Sequence, residues 1–391
     1  MSELKSNLET LETLSKMPIF KMSLGSKELF HSNFLEFLWD TDKKSFIQLL
    51  NNLCNESFLQ SKEAEKYILS REKENFDLCV YHEEWVGKKG HKLTKPRVKY
   101  DLIIENKVKS IPDKSQLDGY QRKIEKHNAK FLLLSLIENF ECRNEIENEW
   151  KIVNYETLST EIKKCFGESN QYINDYCKFI HLMHNLQRYI VPTSDEFSSQ
   201  KLWPEINEYK RHRLHDLYIK QRGLAFMELI KQQLENKSIS YSVVTVAGEK
   251  LRAEHQRILR EQSETPKVYL NWAIYNAEGQ IAAFIHRGGN EIYEIVIQGD
   301  HYKHGINYVN VVNGKFLPLD NGKAQARSKI WKRVNSSEFI TKPRYPLRKQ
   351  YCGYNNDCIY RYKKISEERW NVNSLLKYMV NDITTLVDKL K

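Results

Sequence analysis

Apolar residues in the first half of the chain change period several times, and each change marks a predicted element. Over residues 26–39 they fall at helical spacing, with Leu29, Phe30, Phe34, Phe37 and Leu38 as a stripe and Ser26 as the cap. Two short extended runs follow, the second covering 76–81. A polar stretch over 85–99, holding Gly87, Gly90 and Pro96, leads into the apolar run 98–108. This predicts a hairpin with a long basic loop. The segment 110–113 reads as a turn, with Asp113 capping a helix that extends to His127. Strands over 130–137 and 150–155 and a helix over 158–166 close the unit. The predicted order is helix, three strands, helix, two strands, helix.

The pattern then shifts. A helix over 171–189 is followed by a polar, proline-containing stretch, and helical periodicity resumes over 205–235. β character takes over at 240–246, 268–275, 281–286, 291–298 and 358–362, with a last helix over 372–390. The expected organisation is a first domain over 1–190, a linker over 191–204 and an α+β domain over 205–391. No internal repeat or low-complexity segment is visible.

The chemistry concentrates at the end of the third predicted strand, Asp101-Leu-Ile-Ile-Glu-Asn-Lys107. Side chains alternate along a strand, so Glu105 and Lys107 share one face and Asn106 takes the other. An acid and an ammonium on one face of a buried strand must pair or serve chemistry. A carboxylate to hold a hard cation, beside a cation to meet a developing anion, suits metal-assisted phosphodiester hydrolysis. If the hairpin pairs antiparallel, Asp77 at the start of one strand lies near Glu105 toward the end of the next. Asp101 shares the face of Glu105 and is the other candidate for a second metal acid. On the following helix Gln116 and Tyr120 are four apart and share a face. Glu28, His31 and Asn33 on the first helix are read as capping or solvating it.

In these residues the chain resembles the PD-(D/E)XK nuclease superfamily. The likeness lies in Glu28-Leu-Phe-His-Ser-Asn-Phe-Leu35, in Ile104-Glu-Asn-Lys107 and in Gln116 with Tyr120. It covers roughly 26–160. What the resemblance implies is an α/β fold, a restriction-endonuclease-like mixed sheet flanked by helices, followed here by a basic α+β domain. It further implies a site in which Asp77 and Glu105, with a main-chain carbonyl at Asn106, bind metal. Lys107 would assist the attacking water, and Glu72, Gln116 and Tyr120 would support. The implied cofactor is Mg²⁺, with Mn²⁺ as a substitute. The implied activity is hydrolysis of nucleic acid, DNA first, in a setting such as bacterial defence against foreign DNA. Phe76 stands where the family's name has proline. The alternative is a catalytically silent nuclease fold that binds nucleic acid or a partner.

Charge sharpens the division. The formal net charge is +10, yet residues 1–200 hold 29 Lys and Arg against 31 Asp and Glu. Residues 201–391 hold 32 against 20, and within 301–350 the ratio is 11 to 2. A cutting domain beside one that grips a polyanion would divide charge in this way. The candidate nucleic-acid contacts are Lys323, Arg327, Lys329, Lys332, Arg333, Lys342, Arg344 and Arg348, interleaved with aromatics. The seven cysteines have no zinc-site spacing and are expected as free thiols. No membrane span or signal-peptide pattern is apparent, so no membrane partner and a cytoplasmic location are expected. Cleaving both strands of a duplex calls for two sites, which makes a homodimer an arrangement to test.

Overall fold

The strand and helix periods separate into two large sheets, each with its own helices, and a small separate hairpin. The structure is a computed structural model. It describes residues 2–25, 27–84, 96–190, 202–203, 205–244, 254, 257–261, 263, 265–275, 278–289, 291–308, 310–312, 315–317, 348–352, 358–364 and 371–391. The chain divides into two compact units, Met1–Ile190 with Glu208–Leu217, and Val191–Asn207 with Tyr218–Lys391.

The first unit is built on a five-stranded mixed sheet in sequential order: β1 (Tyr67–Arg71), β2 (Leu78–Glu84), β3 (Arg97–Lys107), β4 (Lys130–Ser135) and β5 (Lys151–Asn154). β1, β2 and β3 pair antiparallel, while β3, β4 and β5 pair parallel. Parallel strands are covered on both faces and read as apolar runs. β3 follows that rule through Leu102, Ile103 and Ile104, all fully buried, and then breaks it with buried Glu105, Asn106 and Lys107.

Helices α1 (Ser2–Lys16) and α2 (Pro18–Met22) precede α3 (Glu28–Thr41) and α4 (Lys43–Cys54). Between strands lie α5 (Lys114–Ile124) and α6 (Arg143–Glu147), and α7 (Tyr155–Phe166) and α8 (Gln171–Ile190) follow the sheet. Short polar side chains start several of these helices by accepting from otherwise orphaned N–H groups. Asp42 accepts from Lys44 and Ser45, Asp113 from Ser115, and Asn154 from Thr157. The buried face of α3 differs from the predicted stripe. It is made by His31, Phe34, Leu35, Leu38 and Trp39, while Leu29 and Phe37 are exposed. Buried His31 lies 3.0 Å from the Tyr176 hydroxyl and stacks on Phe179, so this polar residue takes a core position.

The second unit holds a seven-stranded sheet. In chain order its strands are β6 (Tyr241–Val244), β7 (Lys267–Tyr275), β8 (Glu278–His286), β9 (Glu291–Gln298), β10 (His301–Tyr308), β13 (Arg348–Cys352) and β14 (Cys358–Lys364). Their spatial order is β13-β14-β10-β9-β8-β7-β6, antiparallel except for the β6–β7 pair. β11 (Asn310–Val312) and β12 (Lys315–Leu317) form a separate hairpin. The helix expected over 205–235 is two helices, α9 (Ile206–Arg211) and α10 (His215–Asn236), broken at Arg213 with φ 58°. The last helix, α11 (Val372–Leu390), buries Leu375, Met379, Asp382, Ile383 and Leu386.

His301 and His304 lie on β10, and His304 is buried. Its Nε2 sits 2.7 Å from Asp382 Oδ2, which also accepts from the Tyr302 hydroxyl at 2.6 Å. Among the described residues no helix is long and apolar enough to cross a membrane.

Candidate active site

The site begins with strand register. Leu78 of β2 lies opposite Ile104 of β3 in an antiparallel ladder. Asp77, one residue before β2, therefore falls beside Glu105, one residue further along β3. The Asn106 N–H donates to Asp77 Oδ2 at 2.8 Å and fixes that carboxylate against the end of the strand. Lys107 Nζ lies 2.7 Å from Glu105 Oε1, both groups being nearly buried. Gln116 on α5 donates to the same oxygen at 3.1 Å and lies 2.6 Å from the Tyr120 hydroxyl. Tyr120 in turn donates to the Asn75 carbonyl at 2.9 Å. The second carboxylate oxygen, Glu105 Oε2, is buried and has no hydrogen-bond partner among the described residues.

Asn106 points the other way, as alternation requires. Its amide donates to Ser32 Oγ at 3.1 Å and accepts from the Tyr155 hydroxyl at 2.6 Å. Those bonds pin the tip of β3 to α3 and α7 from the far face. They also occupy the side chain, which leaves the main-chain carbonyl as the ligand that Asn106 can offer a cation.

Electrostatics follow from the crowding of acids. Burial, first, and then the charge of Asp77 push the Glu105 carboxyl up to about 7, against the pull of Lys107. Asp77 is raised by burial, with Glu28 and Glu72 adding to the rise, while the Asn106 N–H and Lys107 oppose it. For Lys107 burial works against the charged form, but Glu105, then Glu28 and Asp77, outweigh it and raise the amine. The result is a charged ammonium beside carboxyls that are hard to ionise together.

The predicted residues Asp77, Glu105, Lys107, Gln116 and Tyr120 thus lie in one connected group. Glu72 is exposed at its edge and acts on Asp77 through charge. Asp101 lies four residues up the strand from Glu105, about 13 Å at the usual rise. It sits 2.6 Å from His82 Nδ1. That histidine is its partner on the strand, and neighbouring Lys99 pairs with Glu84.

Glu28 was read as a cap or a solvated group. Its Oε1 instead accepts from the N–H groups of Val108 and Ser110, at 3.3 and 3.1 Å, and its charge reaches Asp77 and Glu105. It is the acid that sequence reasoning placed outside the site, because its partners are some eighty residues away. His31 is pushed down to about 3 by burial and is a neutral core residue.

Residues 19–178 match the family model of the PD-(D/E)XK nuclease superfamily. The N-terminal unit belongs to that superfamily. The match covers less than half of the 391 residues and stops short of the second unit. No curated protein and no solved structure matches the chain.

Asp77, Glu105 and Asn106 bear on whether a divalent cation fits here. Among the described residues no group of three or more His, Cys, Asp or Glu is arranged to hold a metal alone. Mg²⁺ does not require one, since it usually takes one or two carboxylates and completes its shell with water and phosphate oxygens. Glu105 supplies what such an ion needs: one oxygen held by Lys107 and Gln116, the other buried and bare beside a second carboxylate. The donor set fits a hard cation. Of the candidate nucleic-acid contacts, Lys323, Arg327, Lys329, Lys332, Arg333, Lys342 and Arg344 lie outside the described residues. Arg348 opens β13, and its side chain likewise lies outside them.

Proposed function

We propose that this protein is a divalent-metal-dependent nuclease that hydrolyses phosphodiester bonds, with DNA as the substrate. The observation that carries the reading is the bare, buried Glu105 Oε2 beside Asp77, on the strand face that also bears Lys107. Asp77, Glu105 and the Asn106 carbonyl would hold Mg²⁺ or Mn²⁺. The ion would supply Lewis acidity at the scissile phosphate and a more acidic water.

The other tasks fall to the protein's own groups. Lys107, kept charged by its acidic neighbours, orients the attacking water and offsets charge on the phosphate. Gln116 holds Glu105 in one rotamer, and Tyr120 holds Gln116. Glu72 and Glu28 keep the site negative and so favour a cation over an empty state. The second half of the chain, with 32 basic against 20 acidic residues, engages the polyanion. Defence against foreign DNA is the biological setting that the resemblance suggests.

The test is cleavage of plasmid, linear duplex, single-stranded DNA and RNA, with Mg²⁺, Mn²⁺ or EDTA, by wild type, Glu105→Ala and Lys107→Ala. Metal-dependent cutting of DNA, lost in both variants, is expected. Cutting that survives both changes, or binding without cutting in all three proteins, would count against the proposal. The latter result would favour a silent nuclease fold.

A further inference from the structure

The chain just before Asp77 adopts an unusual backbone. Glu72, Glu74 and Asn75 have φ of 53, 55 and 69°, in the left-handed region that favours glycine. Asparagine tolerates that region; glutamate has no local hydrogen bond to offer in return and is strained there. Such conformations persist only where surrounding groups over-determine them.

Here the surrounding groups are identifiable. The Tyr100 hydroxyl donates to Glu74 Oε1 at 2.8 Å, and Lys123 Nζ donates to the Glu74 carbonyl at 3.0 Å. Tyr120 holds the Asn75 carbonyl. Phe76, fully buried where the superfamily's name has proline, packs edge-on against the rings of Tyr100 and Tyr120, at 5.9 and 5.1 Å. Tyr100 lies on β3 and Lys123 on α5, the two elements that also carry Glu105 and Gln116. Burial, and then Glu74, raise the Tyr100 phenol, so it stays a donor.

We infer that Tyr100 and Lys123 are positioning residues: they hold the left-handed turn 72–75 in place, and the turn sets Asp77 opposite Glu105. The turn thereby does the work of the missing proline, with tertiary hydrogen bonds in place of a locked ring. Freed from them, the turn relaxes out of the left-handed region and Asp77 moves with it. This inference rests on the reading of Asp77 as a metal ligand.

The two roles of Glu74 can be separated by substitution. Glu74→Ala removes the Tyr100 contact and keeps the backbone penalty, whereas Glu74→Gly removes both. Mn²⁺ binding to the full chain is measured by calorimetry for wild type, Glu74→Ala, Glu74→Gly, Tyr100→Phe and Asp77→Ala, each checked by circular dichroism and thermal midpoint. Glu74→Ala and Tyr100→Phe are expected to bind Mn²⁺ about tenfold more weakly, as when a group supporting a metal ligand is lost. Glu74→Gly is expected to remain near wild type.

Glycine no better than alanine at position 74, or no loss in Glu74→Ala and Tyr100→Phe, would overturn the inference while leaving the metal site intact. Wild type failing to bind, or Asp77→Ala binding equally well, would overturn the metal reading and this inference with it.

Discussion

Each of the two units buries a carboxylate, and the two are treated in opposite ways. In the second unit Asp382 on α11 is fully buried, and one of its oxygens is met by both Tyr302 and His304 from β10. Its partners come from across the unit and tie a helix to a sheet. In the first unit Glu105 is equally buried, but one of its oxygens has no partner among the described residues, and Asp77, Glu28 and Lys107 crowd it. Burying a carboxylate is costly unless it is paired and hydrogen-bonded. Asp382 meets that condition and serves the fold. Glu105 meets it by half, and the unmet half is where a cation would sit.

Substitution separates the two cases most sharply at Glu105. Glu105→Gln keeps the shape and the contact with Lys107, and is expected to lower metal-dependent cleavage on the order of a thousandfold, the scale of removing a metal's contribution. The thermal midpoint should not fall, because the change removes a charge that burial and Asp77 oppose, while the amide oxygen still accepts from Lys107. Asp382→Ala should show the reverse. It removes the carboxylate that Tyr302 and His304 share and is expected to cost about 3 kcal/mol in urea unfolding. Cleavage per folded molecule should stay at the wild-type level. A Glu105 variant that unfolds, or an Asp382 variant that is stable but inactive, would break the comparison.

The smallest expected effect is on pH. Glu105 is pushed up to about 7 from an ordinary value near 4.5. Between those values the folded protein keeps a proton that the unfolded chain has lost, so metal-free stability falls as pH rises through the window. Metal affinity runs the other way, since a ligand must shed its proton to bind. Unfolding and Mn²⁺ titrations at pH 5.5 and 8 should show both trends, and Glu105→Gln should flatten them.

The features legible in the sequence are those set by local rules. Alternation along β3 places Glu105 and Lys107 on one face and Asn106 on the other. Antiparallel pairing brings Asp77 alongside, the Asp113 cap starts α5, and helical spacing joins Gln116 to Tyr120. What was not legible depends on distant partners. Glu28 finds its donors at Val108 and Ser110, and Asp382 finds its own about eighty residues upstream.

The face of α3 was misjudged because hydrophobicity alone favours Leu29 and Phe37, while packing against Tyr176 and Phe179 admits His31 instead. β10 escaped notice because His301, Lys303, His304 and Gly305 interrupt its apolar alternation. The helical run after the linker hid its break, since a left-handed Arg213 has no sequence signal comparable to glycine.

The most direct test of the central claim is calorimetric titration of Mg²⁺ and Mn²⁺ into wild type and Glu105→Gln at neutral pH, in two buffers of different ionisation heat. Binding to wild type with release of protons as Glu105 ionises is expected, with loss of both binding and proton release in the variant. Equal binding by the two proteins, or none by wild type, would contradict it.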